Sequence, residues 1–249
     1  MLVHWIKVYR LPRGGRNAKG RPIVNLLPLE KDERIQAVLP VKEFNDDQFI
    51  FMATETGSVK KTKLSAYSRP MKSGIKAIKL RDGDRVVNAE ITDGSKEIML
   101  FSNSGKSIRF KESDARPMGR VSQGVRGMRI DKDQKIISLV VLEEGNILVA
   151  TENGYGKQTL KDEFSIQKRG GKGVIAIQTS DRNGNLIGAK QVSTGDEVMF
   201  ISTSGNLIRT RTDDISIIGR NTQGVRLIRL SEDDNLLGME KVISEDDEE

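Results

Sequence analysis

The sequence contains no cysteine and a single histidine, His4. Disulfides and thiolate chemistry are therefore excluded, and one imidazole cannot complete a zinc cage. Aromatic residues make up only 4% of the 249. Proteins that bind single strands or RNA commonly stack bases on aromatic faces, so this shortage disfavours them. No apolar run is long enough to span a bilayer, and no signal-peptide pattern opens the chain. The phosphate-cradling patterns GxxxxGK[ST] and GxGxxG are both missing. Capped helical periodicity is nearly absent too, so there is no basic recognition helix to enter a major groove. Carboxylates are plentiful, but most fall in solvated turns such as Arg81-Asp82-Gly83-Asp84. Nothing in this inventory assembles a catalytic centre, a metal site or a cofactor site.

What the sequence does contain is a repeat of about fifty residues. Its first mark is a hairpin with Gly at the turn, at Gly57, Gly105, Gly154 and Gly205, separated by 48, 49 and 51 residues. Its second mark is a Gly followed by a short strand, at Gly20, Gly74, Gly124, Gly173 and Gly224, the last four 17 to 19 residues after a hairpin Gly. Short apolar runs lead into each hairpin: 49–53, 98–101, 147–150 and 198–201. A further strand is expected in each unit, at Ile35–Leu39, Val86–Ile91, Ile136–Val141 and Leu186–Val192. Four short strands per unit, repeated in tandem, predict an all-β, propeller-like ring of blades, with an open β-solenoid as the alternative. Met1 stands 19 residues before Gly20, so the chain is expected to begin inside a hairpin and the first blade to be incomplete. We expect one such domain over residues 1–243 and a disordered acidic tail over 244–249.

Net charge is +6, although the last five residues are all acidic; without them the body carries +11. A body this basic attracts polyanions. The cations also recur at fixed offsets. Four residues past the hairpin Gly stand Lys61, Arg109, Gln158 and Arg209, with Lys157 beside the one uncharged position. Two further on are Lys63, Lys111, Leu160 and Arg211. The following loops hold Arg69 and Lys72, Arg116 and Arg120, the heptad Gln167-Lys168-Arg169-Gly170-Gly171-Lys172-Gly173, and Arg220. The first partial unit adds Arg13, Arg16, Lys19 and Arg21. Equivalent positions in a ring face the same rim, so this set predicts a positive belt that holds duplex phosphates without reading sequence. A protein-binding propeller is the rival; it would need an aromatic or apolar patch.

Several stretches carry a more specific likeness: Lys7–Pro12 (KVYRLP), Gly20–Glu30 (GRPIVNLLPLE), Phe110–Asp114 (FKESD), Thr151–Lys157 (TENGYGK) and Gly219–Arg226 (GRNTQGVR). In these the chain resembles the C-terminal domain of the bacterial DNA gyrase A protein, over almost its whole length. The resemblance implies a β-pinwheel of four-stranded blades that exchange strands, with DNA bent and wrapped around a basic rim. It implies partnership with duplex DNA, with the remainder of the gyrase A protein and with the gyrase B protein. Together these would form a cytoplasmic, nucleoid-associated, ATP-dependent type II topoisomerase. The equivalent domain of topoisomerase IV is the alternative. No cofactor is expected in this chain; ATP and Mg would act elsewhere in the holoenzyme. Gln167–Gly173 matches the family's basic heptad QRRGGKG except at Lys168, but lies in a later blade than the family's box.

Overall fold

The computed structural model describes residues 1–14, 18–29 and 33–242. It is built from short strands and isolated 3-10 turns. In chain order the strands are β1 (Leu2–Val3), β2 (Phe49–Thr54), β3 (Ser58–Lys63), β4 (Ile75–Lys76), β5 (Val86–Thr92), β6 (Glu97–Ser102), β7 (Lys106–Lys111), β8 (Val125–Arg126) and β9 (Ile136–Leu142). They continue as β10 (Asn146–Thr151), β11 (Tyr155–Leu160), β12 (Val174–Ile175), β13 (Leu186–Val192), β14 (Glu197–Ser202), β15 (Leu207–Arg211), β16 (Val225–Arg226) and β17 (Leu236–Val242).

Sheet order shows how the repeats join. Three four-stranded blades run β5-β2-β3-β8, β9-β6-β7-β12 and β13-β10-β11-β16. The hairpin and the strand after it come from one repeat, while the outermost strand is donated by the next. A last blade, β17-β14-β15, has three strands, and β1 pairs with β4 alone. The innermost strands β5, β9, β13 and β17 lie side by side. Each departs from regular register at the same place, opposite Ala53/Thr54, Phe101/Ser102, Ala150/Thr151 and Ile201/Ser202. An irregularity of this kind bends the strand pair and increases its twist.

The continuous apolar runs follow from burial on both faces. In β6, Ile98 and Leu100 pack with Phe51, Ala53 and Val59 of the preceding blade. Alternate residues Met99 and Phe101 turn to Ile147 and Val149 of the following one. Leu148 and Ala150 repeat the pattern against Val198 and Phe200. Period-2 alternation thus feeds two interfaces from one strand, and each fully buried side chain of this size contributes about 1.5–3 kcal/mol.

Two expected strands do not form. Residues 35–39 are not a strand, although Ala37 and Leu39 still pack on the core beside β1. In the other units the corresponding strand pairs with the one ahead of the hairpin Gly; residues 35–39 pair with no strand among the described residues. The segment after Gly20 likewise forms only a 3-10 turn, Ile23–Asn25, and pairs with no hairpin edge among the described residues. The register of β1 agrees with the offset read from sequence: Leu2 and Val3 face Lys76 and Ile75 as Ser58 and Val59 face Arg126 and Val125. The expected tail, 244–249, lies outside the described residues.

Hairpin tips are clamped by carboxylates. Asp234 accepts hydrogen bonds from Thr203 Oγ1 (2.7 Å), Ser204 N (3.0 Å) and Ser204 Oγ (2.7 Å), and Asp84 accepts from Thr56 N (3.1 Å) and Oγ1 (2.7 Å). The Thr203 and Ser204 bonds hold the Asp234 carboxyl well below the usual carboxylate range. Its contribution is therefore complete above the unfolded-state pKa and is lost as pH falls through the lowered folded value. Denaturant titrations from about pH 6 down to about pH 2 are expected to show the Asp234→Asn variant losing less stability on acidification than the parent. Parallel curves would assign the clamp no electrostatic role.

Candidate nucleic-acid interface

Each loop that feeds an outermost strand is tied to its neighbours through backbone. Met118, Gln167 and Ile218 donate to the carbonyls of Lys61, Arg109 and Gln158 at 2.8, 2.7 and 2.9 Å. On the other side, Lys79, Arg129 and Gln178 donate to Ser122, Gly171 and Thr222 at 3.2, 2.8 and 2.9 Å. These loops consequently form a chain of connected segments along the outer edge, opposite the inner strands.

The predicted cations divide by depth. Exposed are Lys63, Lys111 and Arg211 at the ends of their hairpins, Arg69, Lys72, Arg116, Lys168 and Lys172 in the loops, and Arg13, Lys19 and Arg21 in the first unit. Lys63 has Asp46 at 3.4 Å and Arg211 has Asp213 at 3.0 Å; both are open surface pairs, worth little against a phosphate. Arg16 lies outside the described residues.

Three predicted contacts are corrected by the structure. Lys61 is 4% exposed and Lys157 is 0% exposed, while the Arg109 side chain is 10% exposed and paired with Glu97 at 2.5 Å. Lys61 Nζ points to Glu112, donating to its carbonyl at 3.3 Å and lying 3.7 Å from its Oε1. Arg109 donates to the carbonyls of Lys161 (2.9 Å) and Phe164 (3.0 Å). Gln158, at the same offset, donates to Thr212 O (2.6 Å) and Ile215 O (3.1 Å). The position four past the hairpin Gly is thus a latch onto the 3-10 turn of the next repeat. Arg209 at that offset is exposed and pairs with Glu197.

Lys157 and Lys60, the latter one residue before Lys61 and each three past its hairpin Gly, form a second latch. Lys157 Nζ donates to Gly219 O (2.6 Å), Arg220 O (2.5 Å) and Thr222 Oγ1 (3.0 Å). Lys60 Nζ donates to Ala77 O (2.5 Å) and Arg120 O (2.8 Å). Desolvation lowers both ammonium groups to about 8, so each remains largely protonated at neutral pH. Sequence reasoning passed over Lys60, yet a signal was present: Ile108 and Ile208 fill the same offset in the other two hairpins, which marks the place as interior.

Arg120, Arg169 and Arg220 share one offset, four residues before the strand Gly, and all are half-buried. Arg169 donates through Nε to Asp114 O and through NH1 to Arg126 O, both at 2.8 Å. Arg220 NH1 donates to Ile175 O at 2.9 Å. A guanidinium carries five donors, so Arg169 and Arg220 are fixed by backbone and keep donors for a further acceptor. In the heptad, Gly170 has φ +85 and donates to Gly127 O at 2.5 Å, with Gln167, Gly171 and Gly173 partly exposed beside it. Gly173 has φ +72, and an added Cβ would collide with the Ser107 carbonyl, so this glycine brings the loop close to β7.

Among the described residues no group of three His, Cys, Asp or Glu could hold a metal ion, and no helix is long and apolar enough to cross a membrane. The Lys157→Met variant leaves the carbonyls of Gly219 and Arg220 without the buried ammonium that bonds them and is expected to cost about 1–3 kcal/mol of stability. Lys111→Ala, at an exposed place, is expected to stay within about 0.5 kcal/mol. Urea unfolding of the two variants checks this; equal costs would contradict the assignment of latch and surface.

A family model described as DNA gyrase C-terminal domain, beta-propeller matches residues 5–42, 48–93, 96–143, 145–193 and 196–243, nearly one segment per repeat. The DNA gyrase A protein of Salmonella typhimurium (strain LT2) is 50% identical over 248 residues, 99% of this chain and 28% of that protein. Its counterpart in Escherichia coli (strain K12) is 52% identical with the same coverage. The chain therefore spans about 28% of the length of these relatives. Among solved structures, one of the DNA gyrase A C-terminal domain superposes with a TM-score of 0.80 at 28% identity, covering 91% of this chain and 76% of that one. The C-terminal domain of DNA topoisomerase IV superposes with a TM-score of 0.85 at 26% identity, covering 90% and 70%.

Proposed function

The chain belongs to the DNA gyrase C-terminal domain, beta-propeller family, and we propose that it binds, bends and wraps duplex DNA along its outer edge without reading sequence. The observation that carries the proposal is the recurrence of exposed Lys and Arg on hairpin ends and on loops joined by backbone hydrogen bonds, from Arg69 and Lys72 through Arg116, Lys168 and Lys172 to Arg211. Phosphate neutralisation releases counterions, and that free energy offsets the bending of the duplex. Arg120, Arg169 and Arg220, at one offset in successive repeats, serve as phosphate contacts at equal steps along the path.

Within the longer protein, this wrap would present a DNA crossing to a strand-passage core in the remainder of gyrase A. The gyrase B protein would supply ATP hydrolysis, so that the holoenzyme introduces negative supercoils. The chain alone would be no enzyme. A bacterial cytoplasmic, nucleoid-associated setting follows from the same reading. The topoisomerase IV alternative keeps the fold, and the two solved domains are similar to this chain to the same degree, 28% and 26% identical; identities of 50% and 52% to gyrase A proteins and the gyrase family model favour gyrase.

If about six to ten phosphates are engaged, affinity is expected to fall by about 10³–10⁵ between 50 and 200 mM salt. Replacing Lys168 and Lys172 with Ala is expected to weaken binding to all sequences alike and to reduce the log–log salt slope by about 0.9 for each phosphate contact removed. Fluorescence anisotropy with short duplexes measures both. A salt-insensitive complex, or strong preference for one base sequence, would overturn the reading.

A further inference from the structure

The stretch Thr151–Lys157 puts a tyrosine, Tyr155, directly after the hairpin Gly154. The residues in that place after Gly57, Gly105 and Gly205 are Ser58, Lys106 and Asn206. In the junction with the next repeat, Tyr155 lies opposite Arg226 of β16. The turn that leads into β13 brings a second guanidinium to the same ring, that of Arg182. Arg226 Cζ stands 5.2 Å from the ring centroid and Arg182 Cζ 5.0 Å. Both also donate to the phenol oxygen, Arg226 NH2 at 2.8 Å and Arg182 Nε at 3.4 Å. Nine residues past the strand Gly, where Arg182 stands, the other repeats have Gly83, Asp133 and Asp233. The paired guanidiniums are therefore a property of this junction and not of the repeat.

Two like charges held side by side call for a counter-charge. Neither Arg182 nor Arg226 forms an ion pair with a carboxylate among the described residues. Both are exposed, while the tyrosine that holds them is 5% exposed. Cation–π contact with the ring and the shared phenol oxygen keep the two together. A guanidinium carries five donors; one from each is spent on Tyr155, and the rest form two planar forks of the kind that match phosphate oxygens. The hydrogen bonds from Arg226 and Arg182 hold the Tyr155 phenol below the usual tyrosine value, as an uncompensated positive field should.

The same level of the fold carries a cation at its other junctions too. Lys76 lies opposite Leu2, Arg126 opposite Ser58, Lys106 opposite Ile175 and Arg226 opposite Tyr155. None of these four is paired with a carboxylate among the described residues. Arg169 of the heptad reaches this level, since its NH1 bonds Arg126 O at 2.8 Å, so the row runs beside the loop cations. One cation per junction suits a polymer of phosphates better than a single small anion. We propose that Arg182 and Arg226 together hold one backbone phosphate of duplex DNA, with Tyr155 as the residue that positions them. The assignment rests on the reading that DNA follows the outer edge.

Fluorescence anisotropy with a short duplex tests the pair. The double variant Arg182→Ala/Arg226→Ala, altered only at exposed places, is expected to bind about tenfold more weakly. Its log–log salt slope is expected to fall by about 0.9, the step of one phosphate; a fall of about 1.8 would mean two separate contacts and overturn the shared site. Parent-like binding by the double variant, with Lys168 and Lys172 replacements still weakening it, overturns this site alone. A parent that binds no duplex overturns the reading of the outer edge and this site with it. The positioning role is read from the phenol. With tyrosine labelled at 13Cζ, NMR follows the ionisation of Tyr9, Tyr67 and Tyr155, the last assigned by its loss in Tyr155→Phe. A phosphate on the two guanidiniums cancels the field that favours the phenolate, so duplex is expected to move the Tyr155 midpoint up toward the ordinary value of about 10. Inorganic phosphate at equal ionic strength is expected to leave it in place. An unmoved midpoint with duplex bound overturns the proposal, and an equal shift with inorganic phosphate alone overturns the assignment to the DNA backbone.

Discussion

The molecule depends on one exchange: each hairpin but the last, β14–β15, lends its outer edge to a strand from the following repeat. That ladder is short, two residues at β8, β12 and β16, but it is flanked by side-chain latches. Lys61, Arg109 and Gln158 grip the next repeat's 3-10 turn, and Lys60 and Lys157 grip the next repeat's loop. Burying an ammonium is costly unless its donors are used, and here carbonyl groups and one hydroxyl use them. The latches convert separate blades into a connected rim.

This arrangement divides the basic residues into two kinds with different work. Those at the strand centre hold the blades together and are largely shut off from solvent. Those at hairpin ends and loop tips are left exposed, carried at regular steps on segments whose backbone is already fixed. Preorganised placement reduces the ordering cost of binding. Arg169 spends Nε and NH1 on backbone and keeps its other donors available for the proposed phosphate contact.

Much of the fold was legible because glycine is required wherever the repeats touch. Gly57, Gly105 and Gly154 combine positive φ with a carbonyl packed where a Cβ would stand, so no other residue fits and the spacing survives in the sequence. The strand alternation was legible for the same kind of reason, since both faces of β6 and β10 meet a neighbour. Depth on the rim was harder. Offsets four and six past the hairpin Gly lie on one face of the strand, so periodicity treats Lys61 and Lys63 alike. Only the packing of the next repeat's turn over the first of them separates a buried latch from an exposed cation. The strands expected at Ile35–Leu39 and after Gly20 failed for a related reason, because a strand needs an edge as well as a propensity.

In the proposed complex duplex DNA meets the outer edge and not the inner strands β5, β9, β13 and β17. Lysine acetylation footprinting with and without DNA tests it most directly, because every reactive site is a named residue. The account predicts that Lys63, Lys111, Lys168 and Lys172 become protected while Lys135, next to β9, and Lys190 of β13 keep their reactivity. Protection centred on Lys135 and Lys190, with the rim lysines unchanged, would contradict it.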